Sequence, residues 1–261
     1  MLKDFTKEKF DIIIQAGQSN AEGNGMGSVL EPYLPDDRVW MMTGPLDKYE
    51  FVINVAKEDV RRNQIVSNFI FSFARKYVDT GMLKEGRKLL ILHTAVGGTG
   101  FIDGQWKLTD CYYLRMMEMI QTALSLNPEN RLVGLLWHQG ESDSLFNASY
   151  DVHYNHLMTL LRSVRDTFKV PELPFVAGDF VYDWRDKNIE VCTPVLNAIR
   201  GVCRDCGKGA FVESNGLTSN VQQLCCLTPH LTTEILDDIH FSRTALYQLG
   251  ERYFDAFVTL Q

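Results

Sequence analysis

Short apolar runs alternate with longer segments of helical periodicity from one end of the chain to the other. The runs at 10–15, 88–94, 131–138, 174–180 and 210–213 are rich in Ile, Leu, Val and Phe and nearly uninterrupted. Such runs are expected of strands covered on both faces. Between them the spacing predicts helices over 64–79, 110–126, 149–168 and 194–206, and a last one over 242–258 closes the chain. Strand–helix alternation implies an α/β fold, a parallel sheet with helices on both faces. Five strands suit the flavodoxin-like order, in which ligands sit beyond the carboxyl ends of the strands. No linker, internal repeat or low-complexity block interrupts the pattern, so residues 1–261 read as a single domain. Two stretches fit neither element: 17–63, rich in Gly, Pro and Asp, and 216–237, before the last helix. Long loops in compact domains are often functional.

Composition narrows the partners. The 261 residues are 45% hydrophobic and 23% charged, an ordinary globular balance. A net charge of −7, from 26 basic and 33 acidic side chains with no basic stripe, argues against nucleic acid or an anionic membrane surface. No stretch reaches the roughly 18 apolar residues of a membrane span. The first ten residues mix Lys, Asp and Glu and carry no apolar signal-peptide core, which points to a cytoplasmic protein. Of the cysteines, Cys203 and Cys206 form a C-x-x-C, but Cys225 and Cys226 are adjacent, and Cys111 and Cys192 stand alone. Without a signal peptide, reduced structural thiols are expected, and without a second C-x-x-C no metal site is.

Four polar motifs remain, each placed where a site at the sheet edge needs it. Gly17-Gln18-Ser19-Asn20 follows the Ile12-Ile13-Ile14 run directly. A serine at a strand's carboxyl end, beside a glycine that permits a tight turn, has an exposed hydroxyl and nearby backbone N–H groups. The spacing is not the G-x-S-x-G of α/β-hydrolases. Ala95-Val96-Gly97-Gly98-Thr99-Gly100 follows the second run and lacks the lysine of a phosphate loop. Its small residues let backbone N–H groups approach a ligand. Trp137-His138-Gln139-Gly140-Glu141-Ser142-Asp143 ends the third run, and Asp237-Asp238-Ile239-His240 precedes the last helix. A D-x-x-H spacing lets the carboxylate fold back on imidazole Nδ1 while Nε2 faces a nucleophile. Each motif alone also reads as a capping turn or a Gly-rich loop. Together they supply a nucleophile, a base, an orienting acid and oxyanion donors.

Gln18-Ser19-Asn20, Gly97-Gly98-Thr99, His138-Gln139-Gly140-Glu141 and Asp237-x-x-His240 resemble the conserved blocks of SGNH hydrolases. More narrowly they are similar to the sialate O-acetylesterase-like domain and to carbohydrate esterase family 6, the acetylxylan esterases. The blocks run in order from about residue 11 to residue 250. The resemblance implies a three-layer α/β/α fold, no metal and no organic cofactor. It makes Ser19 the nucleophile and His240 the base, with the Ser19 and Gly98 N–H groups as oxyanion donors. SGNH enzymes commonly add an Asn side chain as third donor from a G-x-N-D block. This chain has His138-Gln139-Gly140-Glu141 instead, and Gln139 is the expected substitute. Asp237 is the expected triad acid and Glu141 the alternative. Gln18, Asn20, Gly97, Thr99, Trp106 and His138 complete the expected substrate-facing set, and the substrate is an acetylated carbohydrate.

Two other functions are consistent with parts of this pattern. An SGNH lipase or thioesterase would want a long apolar channel, whereas 17–63 is polar. A non-catalytic carbohydrate-binding module would be expected to lack Ser19 or His240. Among the tryptophans, Trp137 ends an apolar strand and reads as core, and Trp106, after the glycine turn, reads as a site wall for sugar stacking.

Overall fold

The structure, a computed structural model, describes residues 4–61, 63–222 and 237–261. β1 (Phe10–Gly17) is buried along its whole length and pairs in parallel with β6 (Lys88–His93) on one side and β7 (Arg131–His138) on the other. β8 (Phe175–Gly178) and β9 (Gly209–Val212) extend the sheet in parallel beyond β7. These are the five runs of the apolar pattern, and they take the flavodoxin-like order. The helices also follow the periodicity: α2 (Ile70–Asp79), α3 (Cys111–Ser125), α5 (Tyr150–Thr167), α7 (Ile189–Asp205) and α8 (Arg243–Val258). α2 packs on α8 in one layer. In the other, α5 packs on α7, and Tyr113 of α3 is hydrogen-bonded to Ser163 of α5 at 2.7 Å.

Among the described residues the sheet has seven strands where the apolar pattern predicts five. β2 (Val39–Thr43) lies parallel to β6, and β3 (Val52–Val55) closes that edge antiparallel to β2, giving the order β3-β2-β6-β1-β7-β8-β9. Both additions arise inside the 17–63 stretch. They are four or five residues long, too short to show a period, and β2 is templated by β6, which is distant in sequence. A hairpin of β4 (Asp59–Arg61) and β5 (Gln64–Val66) follows, so residues 64–66 are strand where helix is predicted. Asn63, at its turn, takes a φ of 61°. α7 begins at Ile189, just after the short helix α6 (Tyr182–Lys187) and ahead of the predicted start at Pro194. The amide hydrogen that Pro194 lacks leaves only the carbonyl of exposed Glu190 without its helical partner, and water can take that place.

Among the described residues no helix is long and apolar enough to cross a membrane. Cys192 and Cys203 are buried, Cys206 half-buried and Cys111 exposed, all as free thiols. Burial holds the Cys203 and Cys206 thiols above their ordinary range. Cys225 and Cys226 lie outside the described residues.

Candidate active site

β1 delivers the chain to the sheet's carboxyl edge at Gly17, where a Cβ would fall 2.1 Å from the His138 carbonyl oxygen. The chain then turns straight into the single-turn helix α1 (Ser19–Glu22). Ser19 is its first residue, so its N–H has no intrahelical acceptor. The turn after β6 packs against it. A Cβ on Gly97 would sit 3.6 Å from Ser19 Cβ and 2.7 Å from Glu22 Oε2, a distance that excludes any side chain while Glu22 holds its place. Gly98 is exposed, with a φ of 70°. Among the described residues neither the Ser19 nor the Gly98 N–H finds an acceptor. Two donors are thus left free beside one hydroxyl, the arrangement that receives an oxyanion.

The glycine turn is held from below. Asp143, on α4 (Glu141–Leu145), is fully buried and accepts hydrogen bonds from the Phe101 N–H at 3.2 Å and the Ile102 N–H at 2.9 Å. It also accepts from Gln139 Nε2 at 3.2 Å and pairs with His153 Nδ1 at 3.0 Å. Burial raises the Asp143 carboxyl, but His153 and the two backbone N–H groups outweigh it, and the net shift is downward. Thr99 Oγ1 donates to the Val96 carbonyl at 2.7 Å and accepts from Trp106 Nε1 at 2.8 Å.

His240, the expected base, sits on the segment entering α8. His240 Nδ1 lies 2.6 Å from Asp237 Oδ1, and Asp237 Oδ2 accepts from Asn220 Nδ2 at 2.7 Å. Burial pushes Asp237 up, yet the His240 and Asn220 hydrogen bonds outweigh it and lower its pKa. Asn20, one residue past the serine, ties this segment to α1. Its Nδ2 donates to the Ile239 carbonyl at 3.1 Å and to Glu141 Oε1 at 2.8 Å, and its Oδ1 accepts from the Phe241 N–H at 3.0 Å. Glu141 is fully buried, and burial raises its pKa against the Asn20 hydrogen bond and the His240 charge.

Several expected roles change once the side chains are placed. Gln139 is fully buried, and its amide nitrogen is committed to Thr99 O, Asp143 Oδ2 and Gln18 Oε1, so it offers no free donor to an oxyanion. His138 lies beneath α1, fully buried, with Nδ1 on the Tyr253 hydroxyl at 2.9 Å, and burial lowers its pKa to about 3. Trp106 is equally buried, edge-on to Trp137, and so is no platform for a sugar. Gln18, Asn20 and Thr99 are buried too, with Gln18 Oε1 accepting the Ser142 N–H at 3.0 Å. Gly97 alone of that substrate-facing set is accessible, beside the exposed Gly98. Sequence reasoning missed Asp143 and Asn220. Asp143 was visible only as a loop acid, and Asn220 has no motif around it.

An α/β/α sheet carrying a serine, a histidine–aspartate pair and free backbone donors on its carboxyl edge is the architecture of the SGNH hydrolases. The chain belongs to the family described as "carbohydrate esterase, sialic acid-specific acetylesterase", whose profile matches residues 9–259. It is similar to the probable 9-O-acetyl-N-acetylneuraminic acid deacetylase of Escherichia coli K12, 26% identical over 127 residues. That match spans 40% of this chain and 39% of the curated relative. The fold is like that in the crystal structure of NanS, at 18% identity and TM-score 0.77, covering 97% of this chain and 98% of that one. It is also like that of an Arabidopsis thaliana protein, at 18% identity and TM-score 0.68, covering 95% and 98%. A carbohydrate acetylesterase from Xanthomonas citri shares the fold at 13% identity and TM-score 0.59, over 94% of this chain and 55% of that one.

Proposed function

We infer that this protein removes O-acetyl groups from carbohydrate through an acetyl-enzyme, with Ser19 as nucleophile, His240 as base and Asp237 as the orienting acid. The observation that carries this reading is the Asp237–His240 pair, anchored by Asn220 and tied through Asn20 to the helix that begins at Ser19. With Nδ1 turned to Asp237, the imidazole keeps Nε2 for the serine proton. Ser19 Oγ attacks the acetyl carbonyl as His240 accepts its proton. The tetrahedral oxyanion is received by the Ser19 and Gly98 N–H groups, where one donor is typically worth about 3–4 kcal/mol of transition-state stabilisation. The sugar alcohol leaves with the proton from His240, and water releases acetate by the same route.

Family membership and the E. coli relative support an O-acetylated sialic acid over an acetylated xylo-oligosaccharide as the substrate. A lipase or thioesterase reading is disfavoured by the charged side chains Glu22, Lys57, Asp59 and Arg61 that line the cavity beside α1. The test is covalent. An organophosphonate should label Ser19 and abolish acetate release from 9-O-acetyl-N-acetylneuraminic acid, and Ser19→Ala should lose turnover by about 10⁵-fold or more. Folded protein that takes no label, or takes it on another residue, would remove Ser19 from the role.

A further inference from the structure

A cavity of about 320 Å³ opens next to α1, on the side away from β7. Its floor is the carboxyl edge of β2 and β6, at Thr43 and His93, and its outer wall comes from Asn54 and the β4–β5 hairpin. Glu22 stands at the boundary between this cavity and the serine. Its carboxylate faces Gly97 on one side, and on the other Glu22 Oε1 lies 3.6 Å from an Arg61 guanidinium nitrogen. Arg61 also reaches Asn24 Oδ1 at 3.4 Å, and Asn24 Nδ2 donates to the Ser19 carbonyl at 3.0 Å. The hairpin is therefore tied directly to the turn that presents the nucleophile.

The lining specifies what fits. Burial, followed by the positive charges of Arg61 and Arg115, lowers the His93 pKa to about 4, so its ring is neutral at neutral pH. Its Nδ1 is buried and, among the described residues, without a partner, so the ring meets the cavity by its other edge. A neutral imidazole carries one donor and one acceptor, and the ring nitrogen on that edge is a natural partner for a ligand hydroxyl. Glu22, Asn54, Lys57, Asp59 and Arg61 add further donors and acceptors, and their charges are nearly balanced. An acyl chain would strip water from these groups and return nothing. The volume lies at the low end of the roughly 300–1,000 Å³ of small-ligand pockets, room for one substituted sugar ring but not for a run of linked ones.

We propose that this cavity is the subsite for the alcohol half of the ester, a monosaccharide-sized polyol whose hydroxyls are read by His93, Asn54 and the Glu22–Arg61 pair. The proposal rests on the acetylesterase reading above and makes the excursion between β1 and α2 the specificity element of that site. Small acetates need only the serine, its base and the two N–H donors, whereas a sugar ester also draws on the cavity. Discrimination is then set by side chains of β3, the hairpin, His93 and Glu22 around the cavity.

Two measurements test this. Asn54→Trp fills the cavity from an exposed position on an edge strand, and Arg61→Gln removes its central cation from a half-exposed one. For each variant, kcat/KM is measured on 9-O-acetyl-N-acetylneuraminic acid, on an acetylated xylo-oligosaccharide and on 4-nitrophenyl acetate. The ratio of the monosaccharide ester to 4-nitrophenyl acetate should fall at least tenfold, chiefly through KM. Equal losses on both esters, or an unchanged ratio, would overturn the proposal, as would a wild-type preference for the xylo-oligosaccharide. Binding of free N-acetylneuraminic acid to Ser19→Ala, followed by calorimetry or ligand NMR, separates this idea from the esterase reading because it needs no turnover. Binding that Asn54→Trp weakens tenfold supports the subsite even if no ester is cleaved. Binding that is absent, or is indifferent to Asn54→Trp and Arg61→Gln, removes the subsite even if esters are cleaved.

Discussion

The segment before α8 and the short helix α4 both bring acidic side chains to the same sheet edge and treat them in opposite ways. Asp237 is partly open to solvent, faces His240 and Asn220, and has a lowered pKa. Glu141 is fully buried, has Asn20 as its one side-chain hydrogen-bond partner among the described residues, leaves Oε2 without any there, and has a raised pKa. Asp143, one half-turn further along α4, is as buried as Glu141 but gathers four hydrogen-bond partners, and its pKa is lowered. Burial alone therefore does not decide the charge of an acid here. The number of donors supplied by the fold does. In the proposed mechanism Asp237 orients the imidazole, while Asp143 holds the glycine turn and Glu141 holds Asn20 and, through it, the backbone on either side of His240.

Substitutions that keep shape and remove charge can break this division. The largest effect is expected for Asp237→Asn, whose amide favours the wrong imidazole tautomer and cannot stabilise the imidazolium; kcat on an acetyl ester should drop by roughly 10⁴-fold. If Glu141→Gln proves more damaging than Asp237→Asn in the same assay, the roles of the two acids are reversed. Asp143→Asn comes next. Its amide would turn an N–H toward donors, and breaking such a buried pair costs about 3–5 kcal/mol. Urea unfolding should register that loss. Where the variant still folds, kcat/KM should fall about 10–100-fold as the glycine turn loosens. A variant with wild-type stability would mean that the turn holds itself.

Glu141→Gln should have the smallest effect on rate, about tenfold or less, and the clearest effect on pH dependence. A folded-state pKa above the unfolded one gives stability that is fully present below the ordinary glutamate range and is lost as pH rises through the folded value. Removing the carboxyl should therefore flatten the fall in unfolding free energy on the alkaline side of that range. Asp237 and Asp143, whose pKa values are lowered, work the other way. Their contribution is present above the ordinary aspartate range and is lost as pH falls through the folded values. Unfolding curves collected across pH 4–8 for the wild type and Glu141→Gln settle the sign (a range of about this width brackets the ordinary glutamate value and its raised counterpart). A parallel pair of profiles would show that Glu141 pays no burial penalty.

The parallel core and its helices were legible in the sequence because strands covered on both faces must be continuously apolar and helices must repeat near 3.6 residues. Those constraints act over a few residues at a time, so β1, β6, β7, β8 and β9 stand out without any partner in view. The four polar motifs were legible for a related reason, since each follows one of those strands or precedes the last helix. What the sequence could not decide was which way each polar side chain turns. Gln139, His138 and Trp106 carry the residue types of a binding surface, yet the packing of α1 and the glycine turn over them places all three inside. The same holds for β2 and β3, which pair only because β6 offers an open edge, and for Asn220, which meets Asp237 across 17 positions of chain. Local pattern sets element type and position. Burial, pairing and the count of donors around a carboxylate are sums over distant segments, and only the tertiary structure performs them.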